Sequence, residues 1–263
     1  MFNKIKLKTD SEIELIKISS LLVGKTLAEV AKMIKPGVPL IYLDKIAEEY
    51  IRDHQAVPSF KGYDGYPASV CLSVNDVVVH GIPNNSVLNE GDIVSVDCGV
   101  YKNGFHGDYA YTFAVGEISE EKRLLIKRTK ESLYRAIDVA VKGNRTGDIG
   151  HTVQSYVESF GYGVVRELCG HGIGKDMHEK PDVLNYGKPH TGDLLREGMV
   201  ICIEPMINLK SPRVYMEKDH WTIRTIDGKP SAHFEHQLAI TSKGTEVLST
   251  YEYIEEVLGN KVI

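Results

Sequence analysis

Between positions 92 and 115 the chain writes out a β-hairpin. Residues 92–100 and 105–115 are apolar, strand-like runs joined through Lys102-Asn103-Gly104. Asn-Gly between alternating runs is the strongest short-range signal for a two-residue turn. Such a turn sets the register: Asp97 falls opposite Ala110, and Asp108 falls two residues from that partner on the same face. Diagonal same-face neighbours lie about 7–8 Å apart at their backbones, within reach of a common cation. A one-residue bulge would instead send the two carboxylates to opposite faces.

These acids have company. Asp97 interrupts Ile93-Val94-Ser95-Val96, Glu204 follows Val200-Ile201-Cys202-Ile203, and Glu235 precedes Leu238-Ala239-Ile240 in a third strand-like run. A carboxylate inside a strand core is costly unless a cation or strong hydrogen bonds compensate it. Any one of the four reads as a surface residue or a structural ion pair, but four together invite one cause. Histidines add to the set. His171 stands among glycines in Cys169-Gly170-His171-Gly172-Ile173-Gly174, where backbone can approach a ligand closely. His178 comes seven residues later, and His80 ends the run Val77-Val78-Val79. The glycine stretch lacks the G-x-G-x-x-G order of a dinucleotide site, and G-x-S-x-G, H-E-x-x-H and P-loop signatures are missing as well.

Around these residues the chain alternates helices and strands. A capping box at Thr9-Asp10-Ser11-Glu12 opens a helix that Pro36-Gly37 ends near residue 35. Leu43, Ile46, Ala47, Tyr50 and Ile51 form the buried stripe of a second helix. Strand-like runs at 69–74 and 77–80 lead to the hairpin. Helices over 119–142 and 147–160 follow, and then strands near 163–167, 198–209, 221–227 and 232–241. Helix, helix, strands therefore occurs twice, with no residue-level repeat. The expected architecture is α+β: one domain of two similar halves, about 1–117 and 118–263, with strands pairing between halves and a ligand cleft at their junction.

Composition narrows the function classes. Of 263 residues, 42% are hydrophobic and 25% charged, as in an ordinary globular chain. The net charge of −5 offers no basic surplus for nucleic acid. No apolar run is long enough to span a membrane. The start MFNKIKLKTD has no apolar leader core, so a cytoplasmic location is expected. Cys71, Cys98, Cys169 and Cys202 are scattered without a CxxC pair, which speaks against a structural zinc site or a disulfide framework. Cys98 and Cys202 read as small buried hydrophobes.

The ordered set Asp97, Asp108, His171, Glu204 and Glu235 resembles the type I methionine aminopeptidases, in their short bacterial form. The likeness is carried by Val70-Cys71-Leu72-Ser73-Val74-Asn75, His80-Gly81-Ile82-Pro83, Gly91 to Asp97, Asn103-Gly104-Phe105-His106-Gly107-Asp108, Cys169 to Gly174, Glu204-Pro205-Met206 and Phe234-Glu235-His236. It spans roughly residues 5 to 250 and implies the pita-bread fold: a curved, mostly antiparallel sheet covered by helices on one side.

The resemblance also implies roles. Asp108 and Glu235 would bridge two divalent ions (Co, Mn, Fe or Zn), Asp97 would serve one ion, and His171 and Glu204 the other. A hard, oxygen-rich set of four carboxylates and one imidazole suits such metals. Glu204 would also shuttle a proton, His178 would donate to the scissile carbonyl, and His80 would contact the scissile nitrogen. Tyr63, Tyr66, Cys71 and Trp221, with Met177 alongside, would line the methionine slot. Relatives often carry an aromatic residue at position 177. His233, where relatives often have Gln, and His236 would support the ligands from behind. The implied reaction removes methionine from the N-termini of nascent polypeptides before a small second residue. The implied enzyme is a monomer, with the ribosome near its exit tunnel as a further partner. Two rival readings are an Xaa-Pro peptidase of the same fold and a binding module that has lost its metals.

Overall fold

The computed structural model describes residues 4–263. Its first helix, α1 (Asp10–Ala31), starts where the capping box predicts: Thr9 accepts from the Glu12 backbone and Glu12 answers the Thr9 backbone. It is followed by α2 (Leu40–Asp53), β1 (Val57–Pro58), β2 (Val70–Val74), β3 (Val77–Val79), β4 (Ile93–Lys102) and β5 (Phe105–Ala114). The second half runs α3 (Glu120–Val139), α4 (Thr146–Glu158), β6 (Gly163–Val164), β7 (Gly170–Gly172), β8 (Glu179–Val183), β9 (Val200–Ile203), β10 (Met206–Asn208), β11 (Val214–Met216), β12 (Ile223–Thr225), β13 (Ser231–His233), β14 (His236–Thr241), β15 (Gly244–Val247) and α5 (Glu252–Leu258).

The β4–β5 hairpin has the expected register. Lys102 pairs with Phe105 across the Asn103-Gly104 turn, Asp97 pairs with Ala110, and Asp108 faces Gly99. Asn103 and Gly104 both take positive φ, 55° and 84°, which a type I′ turn requires. Alternation then separates two faces. Val94, Val96, Cys98, Val100, Tyr109, Tyr111 and Phe113 join the main apolar core, on which α1 packs. Ser95, Asp97, Asp108 and Thr112 point the other way, with Ser95 and Thr112 hydroxyls 2.8 Å apart. One sheet surface thus holds the helices and the other is left for polar groups.

All strand ladders are antiparallel and form four small sheets: β1 and β2 on one edge of β4 with β5 on the other, then β13-β10-β6, β11-β12-β3, and β15-β14-β9-β7-β8. The β3–β12 ladder joins the two halves. So does a stitch beside β5: the Thr112 hydroxyl donates to the His233 carbonyl at 2.6 Å, and the Glu235 amide donates to the Ala110 carbonyl at 3.1 Å.

Some sequence expectations need correction. The runs 198–209 and 232–241 are not continuous strands. Each breaks once, at Glu204-Pro205 and at Phe234-Glu235, where the chain steps from one sheet to the next. Both glutamates therefore leave the ladder and project from the breaks. The glycine-rich stretch around His171, to which the sequence pattern assigns no element, is strand β7. A Cβ on Gly170 would lie 2.3 Å from the Cys202 carbonyl oxygen, and one on Gly172 2.3 Å from that of Lys180, so only glycine lets this strand lie so close between its neighbours. β1, β8, β11 and β15 carry no periodic signal in the sequence; α5 carries a short one, with Ile254, Val257 and Leu258 at helical spacing.

Candidate metal centre and active site

The polar face of the hairpin, the two strand breaks and β7 converge on one cavity. It is lined by Asp97, Asp108, His171, Glu204 and Glu235 at one end. Atoms of Asp108, His171 and Glu235 that can bind a metal lie within 4.8 Å of one another, together with the Cys202 sulfur. Glu204 reaches the group through His171, whose Nε2 is 3.6 Å from Glu204 and 3.8 Å from Asp108. Asp97 lines the same cavity but stands outside that tightest group.

This end of the cavity holds more negative charge than the protein answers. Among the described residues no Lys or Arg lies within ion-pair distance of the four carboxylates; their only such neighbours are His171 and His233. Asp97 Oδ1, Asp108 Oδ1 and Glu235 Oε1 are buried without any hydrogen-bond partner. Burial pushes all four carboxyls above their ordinary range, and for Asp108 and Glu204 the charge of Glu235 adds to it. Burial pushes the His171 imidazole down to about 3, leaving its nitrogens neutral and able to ligate. The His171 Nδ1 sits 2.9 Å from the Gly172 carbonyl, which orients Nε2 toward the acids. Orphaned carboxylate oxygens around a neutral imidazole fit a divalent metal, and no Lys or Arg among the described residues relieves their charge.

The rest of the cavity is apolar. Tyr63, Tyr66, Cys71, Trp221, His80 and His178 line it, as expected, with Phe60, Val79, Leu168, Cys169, Met206 and His233 in addition. Trp221 meets Tyr66 edge-on at 5.1 Å and His80 at 6.3 Å. Asp219 fixes the Trp221 turn by accepting from two successive amides at 2.9 Å. His80 takes a positive φ of 57°, and burial pushes its imidazole down to about 4. Burial also lowers His178, whose ring stands 4.3 Å from that of His171.

Met177 is a correction. It does not line the cavity but is buried with Ile13, Ile16, Phe105, Ile173 and Cys202, the cluster against which Phe60 also packs. Phe60 in turn belongs to the Tyr66–Ala68–Cys71 wall. The aromatic wall that position 177 does not supply is thus present as Phe60, which no sequence pattern singles out among six phenylalanines. His236 does not line the cavity either; it stacks on Tyr251 at 4.0 Å and bonds Ser249 at 2.6 Å. His233 does, with Nε2 3.8 Å from the second oxygen of Glu204. Cys202 is the residue the sequence misjudged: its strand buries it as expected, but its sulfur faces the acids.

Fold and donor set together define a metal-dependent hydrolase, and the chain belongs to metallopeptidase family M24, whose family model matches residues 14–242. Within that family it is similar to the methionine aminopeptidase of Clostridium acetobutylicum, 52% identical over 94% of this chain and 100% of that protein. Among solved structures it is similar to the methionine aminopeptidases of Rickettsia prowazekii (38% identity, TM-score 0.93) and Thermotoga maritima (44%, 0.92), in each case over 94% of this chain and 100% of the other. The short bacterial type I methionine aminopeptidases are thus the branch in which it falls, and the pita-bread fold is theirs. No helix of the described residues is long and apolar enough to cross a membrane.

Proposed function

We propose that Asp97, Asp108, His171, Glu204 and Glu235 would together hold two divalent ions (Co, Mn, Fe or Zn), and that the whole chain works as one catalytic domain releasing N-terminal methionine. The observation that carries this reading is the cluster of four carboxyls, two buried and two half-buried, without a Lys or Arg partner among the described residues, at the end of an aromatic-walled cavity. Divalent ions held there would supply a water of lowered pKa and polarisation of the scissile carbonyl.

The chain's own residues do the rest. Phe60, Tyr63, Tyr66, Cys71 and Trp221 form the slot for the methionine side chain, with Met177 behind Phe60. His178 donates to the scissile carbonyl oxygen as charge develops there. His80 contacts the scissile nitrogen. Glu204 takes the proton from water and returns it to the leaving amine. His233 steadies the second Glu204 oxygen. Nascent polypeptides with a small second residue are the substrates, met by a monomer in the cytoplasm and near the ribosomal exit.

The test is a peptide panel on chelator-stripped protein. Met-Ala-Ser should be cleaved only after Mn or Co is restored, with Xaa-Pro peptides untouched. Preferential Xaa-Pro cleavage, or no metal uptake at all, would overturn the reading. His178→Ala should slow turnover by about 100-fold while metal still binds.

A further inference from the structure

Tyr63 stands in the wall of the apolar slot, yet its hydroxyl is committed elsewhere: it lies 2.8 Å from Nδ1 of His178, with ring centroids 5.2 Å apart. The turn that delivers it is closely specified. The Tyr63 amide donates to the Phe60 carbonyl at 2.9 Å, the Tyr66 amide to the Tyr63 carbonyl at 2.8 Å, and the Gly62 amide to the Tyr66 carbonyl at 2.8 Å. Gly62, Asp64 and Gly65 all take positive φ, at 89°, 45° and 88°. A left-handed Asp64 between left-handed glycines costs conformational energy, which persists only where the surroundings over-determine it.

A neutral imidazole carries one N–H, and the partner of one nitrogen decides where it sits. The Tyr63 hydroxyl keeps its proton, since burial pushes it up, and can donate to Nδ1. The ring is also walled by His171, edge-on at 4.3 Å and 71°. Among the described residues no other group is hydrogen-bonded to His178, so Nε2 remains free at the cavity surface.

We infer that Tyr63 is a positioning residue for the reaction: by donating to Nδ1 it holds His178 as the Nε2–H tautomer, so that the nitrogen open to the cavity is a hydrogen-bond donor. The opposite tautomer would present a lone pair to the developing oxyanion and repel it. This rests on the reading of His178 as the donor to the scissile carbonyl. It assigns the Tyr63 hydroxyl a role separable from its ring, since the ring alone suffices to pack against a methionine side chain.

The experiment pairs two variants with two readouts. In metal-free protein labelled with 15N-histidine, the His178 signals are identified by their loss in His178→Gln. Wild type should show a protonated Nε2 and an accepting, unprotonated Nδ1, and Tyr63→Phe should move His178 toward a mixture of tautomers. In Mn-loaded enzyme on Met-Ala-Ser, Tyr63→Phe should lower kcat about tenfold while KM stays within about twofold, because the phenyl ring preserves the slot. A protonated Nδ1 in wild type, an unchanged His178 spectrum in Tyr63→Phe, or a rise in KM at constant kcat would each overturn the inference. The two readings fail differently. Full turnover in His178→Ala, which has no donor, removes the donor role and this inference together. A slow His178→Ala beside a Tyr63→Phe of unchanged kcat removes this inference alone.

Discussion

Asp108 sits where burial and charge conflict most. It is 4% exposed, one of its oxygens has no partner, and Glu235, Asp97 and Glu204 all raise its pKa beyond what burial does. Such a group is held for function at the expense of stability in the metal-free state. In EDTA at pH 8, Asp108→Asn should therefore stabilise the fold by roughly 1–3 kcal/mol, the scale of relieving one buried, unpaired charge. The same variant should lose turnover and bound metal. A denaturant titration beside metal analysis checks both; a destabilised Asp108→Asn apoprotein would show that the carboxyl is satisfied in some other way. At this scale the acids were legible in the sequence because charged residues inside apolar runs are improbable without a reason. Phe60 and Cys202 were not, because an apolar residue in an apolar setting carries no sign of which neighbour it will face.

At the scale of elements, the β4–β5 hairpin was readable to the residue, since a two-residue Asn-Gly turn leaves one register. How α1 settles on it was not. A Cβ on Gly107 would lie 2.3 Å from the Ser20 amide nitrogen and 2.4 Å from the Ser19 carbonyl carbon, while the Ser19 hydroxyl donates to the Phe105 carbonyl at 3.0 Å. Helix and hairpin touch backbone to backbone beside Asp108. Gly107→Ala should thus cost about 3 kcal/mol and weaken metal binding as Asp108 shifts. A lowered Tm with a raised metal Kd by calorimetry is the expected result; an unaltered Tm would mean that the helix yields without cost. The break at Glu235 was invisible, because its flanking runs are apolar enough to continue and only the switch of sheet partner interrupts them; the break at Glu204 was marked by Pro205, which has no N–H to give a ladder.

For the whole molecule, the site couples stability to pH. The four carboxyls have folded pKa values raised above their unfolded ones. Below about pH 4 they are neutral in both states and cost nothing; as pH rises from there through the folded values, the unfolded chain gains by ionising first and stability falls. The buried histidines act in the opposite direction. His80 is pushed down to about 4, and His171, His233 and His236 to about 3, so their contribution is lost as pH falls below about 6.5. Above pH 6.5 the carboxyls act alone until the free thiol range, where the buried Cys71, Cys98 and Cys202, also pushed up by burial, add a loss of the same sign. Chelated protein should lose Tm steadily from pH 6.5 to 8.5, and saturating Mn should abolish that fall, because cations compensate the ionised acids and compete with protons for them. Equal Tm at both pH values in EDTA would contradict the electrostatic account of the cavity.

What the linear chain determined by itself was local or statistical: the capped first helix, the hairpin and its register, and a set of acids and histidines out of place among apolar neighbours. Local hydrogen bonding and period-two alternation suffice for those. The tertiary structure alone decided that the acids meet. Asp97 and Asp108 come from one hairpin, His171 from a glycine strand, and Glu204 and Glu235 from two sheet breaks, and the β3–β12 ladder with the stitch of Thr112 and Ala110 to His233 and Glu235 brings the halves to register. It also decided that Phe60 walls the slot and that Tyr63 reaches His178 across 115 positions of sequence. Contacts so distant along the chain depend on which surfaces pack together, and apolar packing is set by shape across the whole core, where one sequence position says little about its partner.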